Sequence, residues 1–262
     1  MNWKFVNTGF QTGSFNMYFD EKLASRLRDG SGHPTLRVYG WNPPAISIGA
    51  NQRVEDFDLA RLEREGIGLV RRPTGGRAIL HAQELTYSIV MPAATRSSRE
   101  IYSSVSTGLL AGIQLIGIDA QFAPADRALP RSFEDPASIP CFASSARWEI
   151  QVDGRKIVGS AQRRYGTVVL QHGSLLLGPQ HLKLPEFLAP GLREADAELG
   201  GRLADHTIDA ETVLGRRVGF EEAVSCVRRG FERAWQILFE EETLDPDFPA
   251  MFSEPTQPLY RS

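Results

Sequence analysis

Cys141, Lys156, the consecutive glycines Gly75 and Gly76, and the histidines His81 and His172 are the residues of this chain whose types and neighbours admit chemistry. Cys141 stands in Ser138-Ile-Pro-Cys-Phe142 at the exit of a polar stretch, a setting open to a reactive thiol. Cys226 falls on an apolar helical stripe and reads as a buried, inert one. A nucleophilic cysteine works as its thiolate, and an adjacent cation favours that form by lowering the thiol pKa from its usual ~8.5. Lys156 is the candidate cation, because the Asp153-Gly154 turn before it folds it back beside the strand that follows Cys141. Taken alone, Lys156 also reads as an ordinary exposed lysine at a strand terminus.

Arg71-Arg-Pro-Thr-Gly-Gly-Arg77 joins two strand candidates. Consecutive glycines permit positive φ and let a ligand approach the main chain closely, although a plain hairpin loop has the same need. No GxxxxGK[ST], GxGxxG or GxSxG pattern occurs, so P-loop, dinucleotide-binding and hydrolase-elbow readings have no support. His81 and His172 are candidate acid-base groups or structural donors. The five histidines show no HExxH or comparable spacing, so no metal site is expected.

A length of 262 residues with 42% apolar content allows one large domain or two small ones with a sizeable core. A net charge of -3 gives no global basic field, which disfavours nucleic acid as a partner. Two cysteines without a CxxC pair argue against a disulfide framework or structural zinc and fit a reducing cytoplasm. The first residues do not read as a signal peptide, and Ser103, Ser104, Ser106, Thr107 and Gln114 interrupt the most apolar helix-length stretch, so no membrane span is expected.

Four stretches have helical periodicity: Phe15 to Leu27 ending at Gly30, Asp56 to Glu65, Ile101 to Ile116 behind a Ser97-Ser-Arg-Glu100 capping box, and Phe220 to Leu238. Strands are expected at 36–39, 45–48, 67–71, 78–80, 86–91, 148–152, 156–159 and 167–170, with a tight hairpin at Asp153-Gly154. Strands outnumber helices without alternating regularly, which favours an α+β fold with a mixed sheet over a doubly wound one. Residues 123–140 read as an exposed loop, 1–245 as a single domain, which the resemblance given below makes a catalytic one, and 246–262, within an irregular stretch that starts at 243, as a C-terminal tail.

Together these residues resemble the biotin/lipoate protein ligase family. Arg72-Pro-Thr-Gly-Gly-Arg-Ala-Ile-Leu-His-Ala-Gln-Glu-Leu-Thr-Tyr-Ser88, Pro140-Cys-Phe142, Gly154-Arg-Lys-Ile-Val-Gly-Ser-Ala-Gln162 and Leu170-Gln-His-Gly-Ser-Leu-Leu176 occur in the family's order, and Arg37 to Gly49 extends the match. The likeness covers roughly Phe5 to Leu244 and is nearest to the octanoyltransferase branch of lipoate biosynthesis. It implies a mixed, largely antiparallel central sheet flanked by helices and an apolar acyl tunnel roofed by the glycine loop. It also implies a nucleophilic Cys141 and an essential Lys156, with Arg72, Thr74, Gly75, Gly76, Arg77, His81, Gly159, Ser160, His172 and Gly173 around the substrate. Arg77 and Leu85 depart from the ATP-dependent ligases, which carry a third glycine and an asparagine there; Ala143 and Ala82-Gln83 depart from the transferase pattern, which loosens the identity of the acceptor.

The implied reaction moves octanoyl from octanoyl-acyl carrier protein to Cys141 and then to a lysine of the glycine cleavage H protein or another lipoyl domain. Lys156 serves as the cation and then the base, and the donor's thioester makes a cofactor unnecessary. Loop N–H groups near Gly75 and Gly76 are candidates for the oxyanion, and Ile79 and Val90 for the tunnel wall. Arg71-Arg72, Arg163-Arg164 or Arg216-Arg217 would dock the acidic carrier. Competing readings are a lipoate-protein ligase using ATP and Mg²⁺, an amidotransferase drawing octanoyl from H protein, and a non-catalytic acyl-binding relative.

Overall fold

The computed structural model describes residues 2–123, 148–195 and 198–242. The loop expected at 123–140 falls outside that range but for its first residue, and Cys141 and the C-terminal tail fall outside it altogether.

Strand β1 (Trp3–Gln11) leads directly into helix α1 (Gly13–Arg28), whose first turn is capped by the Thr12 hydroxyl accepting from the Phe15 N–H. Asn7-Thr8-Gly9 has the composition of a turn, which is why the sequence reading has no strand there. In the fold these residues are an irregularity within β1: pairing with β2 (Thr35–Trp41) shifts register between Asn7 and Phe10, and Gly9 adopts φ +60°. Next come β3 (Ala45–Ile48), α2 (Leu59–Arg64), β4 (Gly68–Arg71), β5 (Ile79–His81) and β6 (Glu84–Pro92). The capping box forms as expected at α3 (Ser98–Ile116), with the Ser97 hydroxyl accepting from Glu100 N–H and the Glu100 carboxylate accepting from Ser97 N–H.

After β7 (Gln121–Phe122), strands β8 (Ile150–Val152) and β9 (Arg155–Lys156) meet at the expected two-residue turn, where Asp153 and Gly154 have φ of 50° and 75°. The hairpin of β10 (Val158–Tyr165) and β11 (Val168–Leu176) extends further than the sequence indicates. Helices α4 (Pro190–Ala195), α5 (Leu199–His206) and α6 (Ala210–Leu214) are too short to reveal a period, unlike α7 (Phe220–Trp235). Strand β12 (Phe239–Glu241) closes the described chain.

The architecture is α+β. Six strands order as β10-β11-β6-β2-β1-β12, antiparallel from β10 to β2 and parallel from β2 to β12; β4-β3-β5 and β7-β8-β9 make two smaller sheets. The alternation of strand side chains divides the large sheet. Leu36 and Val38 of β2 and Leu85, Tyr87, Ile89 and Met91 of β6 join the main core with α3 and α7. Arg37, Ser88 and His172 are on the face that meets Asp20 of α1, and there the polar site is built.

Helices α3 and α7 approach through glycine: a Cβ on Gly230 would lie 2.2 Å from the Gly112 nitrogen and 2.4 Å from its Cα. Gly230→Ala is therefore expected to force the pair apart at a cost of roughly 1–3 kcal/mol, read as a lower denaturant midpoint. An unchanged midpoint would show that the helices slide freely.

Candidate active site

A recess lies between the six-stranded sheet and the β4-β3-β5 sheet. Met17, Tyr39, Trp41 and Ile79 give it apolar walls. Of the residues the family resemblance assigns to substrate, Arg72, His81, Gly159, Ser160, His172 and Gly173 line this one cavity. Gly173 is sterically required: a Cβ there would stand 2.2 Å from the Gly159 carbonyl oxygen on the paired strand. Val90, expected on the tunnel wall, instead packs with Ala24, Val168 and Leu170 in the core under α1.

The glycine loop is held over this region by its carbonyls. Buried Arg72 donates to Gly75 O at 3.0 Å and Arg77 O at 2.6 Å, and reaches back to Ser47 O at 3.0 Å. Arg163 donates to Pro73 O at 2.7 Å, and Ala50 N–H to Thr74 O at 3.0 Å. Gly75 and Gly76 are exposed, and among the described residues their N–H groups meet no acceptor. Gly76 has φ +91°, and a Cβ on it would lie 2.8 Å from the Arg72 guanidinium. Arg72 is thus a clamp on the loop as well as part of the wall.

His172 and Thr74 meet beneath the loop, Nε2 to Oγ1 at 2.7 Å, and the other imidazole nitrogen faces Asp20 Oδ2 at 3.3 Å. Asp20 is fully buried and accepts from Arg37 at 2.8 Å, Ser88 at 2.7 Å and Tyr39 at 3.0 Å. Burial is the strongest influence on Asp20 and opposes its ionisation, but Arg37, His172 and Ser88 outweigh it and hold its carboxyl below the ordinary value. Burial likewise pushes His172 below the usual imidazole value against the pull of Asp20, so the ring is neutral at pH 7.

His81 stands in a second polar group. Its ring stacks on Trp41 at 3.9 Å, Nδ1 faces Glu84 Oε1 at 2.6 Å, and Nε2 meets the Ser47 hydroxyl at 2.7 Å. Glu84 Oε1 also accepts from Thr86 and from Ser174, so both histidines of the sequence reading are fixed by internal partners.

Lys156 differs from its sequence reading. It is not a surface lysine: it is 6% exposed, and its Nζ donates to the buried Glu149 carboxylate at 2.6 Å. A strand end bordered by β8 and by Thr207 has no open side, which a local pattern does not reveal. Lys156 belongs to the small third sheet and is not among the residues lining the recess. The arginine pairs also separate. Arg216 and Arg217 are matched by Glu222 at 2.7 Å and Glu211 at 3.6 Å. Arg71 and Arg164 donate to backbone carbonyls, like Arg72 and Arg163.

Asp20, Arg37, Glu84 and Glu149 are absent from the sequence reading as site residues. A signal existed for the first two. Asn16 and Asp20 sit one helical turn apart beside the Phe15-Phe19 stripe, and Arg37 interrupts an otherwise apolar strand. Polar residues in such buried registers imply partners.

The chain belongs to the family described as the lipoyl protein ligase A/B catalytic domain, which matches residues 12–232. Among curated relatives, Octanoyltransferase LipM of Geobacillus kaustophilus is 39% identical, covering 99% of this chain and 96% of that protein. Octanoyltransferase LipM of Bacillus subtilis is 36% identical over 91% of this chain and 88% of its own. A crystal structure of lipoate-protein ligase A bound with ATP aligns with a TM-score of 0.72 over 96% of this chain and 92% of that one, at 20% identity. A bi-partite lipoate protein ligase from Thermoplasma acidophilum gives 0.74 over 96% and 90%, at 19% identity. At such identities the likeness establishes the fold alone. Among the described residues no helix is long and apolar enough to cross a membrane.

Proposed function

We propose that this protein is an octanoyltransferase of protein lipoylation that works through a thioester on Cys141. The observation that carries this reading is the near end-to-end similarity to octanoyltransferases, with Arg72, His81, Gly159, Ser160, His172 and Gly173 of the family's motifs lining one recess. The Cys141 thiolate attacks the carbonyl of octanoyl-acyl carrier protein, a C–S bond forms, and the carrier's thiolate leaves and takes up a proton. The amine of a lipoyl-domain lysine, that of H protein or another acceptor, then attacks the acyl-enzyme. Its C–S bond breaks, the amine loses a proton, and the Cys141 thiolate returns. No ATP or metal is needed because the donor is already activated. The cytoplasm, where such carriers are charged, is the proposed location.

The loop geometry supports an oxyanion role for Gly75 and Gly76. With the Pro73, Thr74, Gly75 and Arg77 carbonyls bound by donors, the N–H groups of the two glycines are what the loop offers a developing negative charge. Gly76→Val is expected to slow acyl-enzyme formation at saturating donor by roughly 10²-fold. Backbone strain at its positive φ would cost only about 1–2 kcal/mol of stability. An unchanged acylation rate would reduce the glycine pair to a turn. Arg71 and Arg163, beside this loop and donating to backbone carbonyls, are the favoured contacts for an acidic carrier, ahead of Arg216 and Arg217, which are matched by glutamates.

The deciding experiment mixes enzyme, octanoyl-acyl carrier protein and apo H protein without ATP and weighs all three by mass spectrometry. Octanoyl should appear on the enzyme and then on the acceptor. Transfer only from free octanoate or lipoate with ATP and Mg²⁺ would make the protein a ligase. Transfer only from octanoyl-H protein would make it an amidotransferase, and no turnover a binding protein.

A further inference from the structure

Asp20, His172 and Thr74 form a buried chain of carboxylate, imidazole and hydroxyl. Its order is that of a nucleophilic triad, but the hydroxyl is fully buried and belongs to the glycine loop. We propose that Asp20 and His172 are positioning residues for acyl transfer: Asp20 fixes the His172 imidazole as an acceptor for the Thr74 hydroxyl, and this bond sets Gly75 and Gly76 in place over the recess. The inference rests on the octanoyltransferase reading.

The direction of each bond follows from its neighbours. Asp20 is ionised and can only accept, so the nitrogen that faces it, Nδ1, carries the hydrogen. The neutral ring then presents a bare Nε2, and the 2.7 Å contact requires Thr74 to donate. Asp20 itself cannot turn. Arg37 holds Oδ1 while donating also to Thr8 and Asn16, and Tyr39 and Ser88 take further positions on the carboxylate. The chain therefore runs from α1, across β11, to a loop that is otherwise anchored by its carbonyls.

Three variants cut this link at different points. Thr74→Val keeps the shape and removes the donor. Thr74→Ser keeps the donor. His172→Asn retains an N–H for Asp20 but has no group where Nε2 stood. At saturating octanoyl-acyl carrier protein, Thr74→Val and His172→Asn should each slow acyl-enzyme formation by roughly 10- to 100-fold, with donor KM changing less than about threefold. Thr74→Ser should recover to within about threefold of wild type, and Thr74→Val/His172→Asn should be no slower than the slower single variant. Deuterium uptake at residues 73–77 supplies a readout that needs no turnover: it should quicken about tenfold in Thr74→Val and His172→Asn and not in Thr74→Ser.

Wild-type rates in Thr74→Val, multiplicative losses in the double variant, or unchanged uptake in the loop would each overturn the positioning role. So would a loss that Thr74→Ser shares, because it would mark a site sensitive to any change. A wild-type enzyme that takes no octanoyl from the carrier would instead defeat the octanoyltransferase reading, whatever the uptake shows.

Discussion

With Cys141 replaced by serine, octanoyl transfer should fall by on the order of 10³-fold or more, the scale on which loss of a nucleophile is felt. An alkoxide is far less accessible than a thiolate at neutral pH, and an oxygen ester is a poorer acyl donor than a thioester. Cys226→Ser is the matched control. Cys226 is 5% exposed on α7 in the main core, so its replacement should lower stability modestly and leave turnover. Wild-type enzyme given octanoyl-acyl carrier protein alone should gain one octanoyl mass that neutral hydroxylamine removes and peptide mapping places on residue 141. Full activity in Cys141→Ser, with free acid and ATP supporting transfer, would replace this mechanism with adenylation.

Lys156→Ala should damage both the fold and the reaction, contrary to what a surface strand end would suggest. Lys156 and Glu149 side chains are 8% and 5% exposed and meet at 2.6 Å. Removing the ammonium leaves a buried carboxylate without its counter-charge, which costs about 3–5 kcal/mol. In a protein of this size that lowers the melting temperature by on the order of 10 °C. Lys156→Met combined with Glu149→Gln removes both charges and should regain most of the stability while transfer stays lost. Calorimetry alongside turnover separates the outcomes. A single variant as stable as wild type would show that the ion pair does not hold the native fold, and an active double variant would remove Lys156 from the mechanism.

The parts of the fold legible in the sequence are those whose signals are local. The capping box at Ser97, the Asp153-Gly154 turn and the long stripes of α1, α3 and α7 each specify their structure within a few residues. Strand β1 was hidden by Asn7-Thr8-Gly9, and the short helices α4 to α6 by having too few turns to repeat. The recess was legible because its motifs are contiguous, and six of the residues assigned to substrate line one cavity. Its supports were not. Asp20 meets His172 across 152 positions and Arg37 across 17, and a pairing made by the sheet leaves no trace in spacing. Glu149 lies in plain view seven residues before Lys156, but only burial turns that nearness into an ion pair.

Strand β6 is hydrogen-bonded along both sides, Leu36↔Ile89 and Arg37↔Ser88 toward β2 and Gln171↔Ile89 and His172↔Ser88 toward β11. Amides enclosed in this way open to solvent only when the whole domain does. The floor of the recess, which includes Thr86 and His172, therefore cannot breathe independently. In the octanoyltransferase proposed above, the acyl chain would come and go by the rim, where among the described residues β10 is paired on one side only and Gly75 and Gly76 are exposed. On that reading octanoyl exchange takes place at an edge of the sheet, while Thr86 and His172 of the recess floor lie on strands paired along both sides.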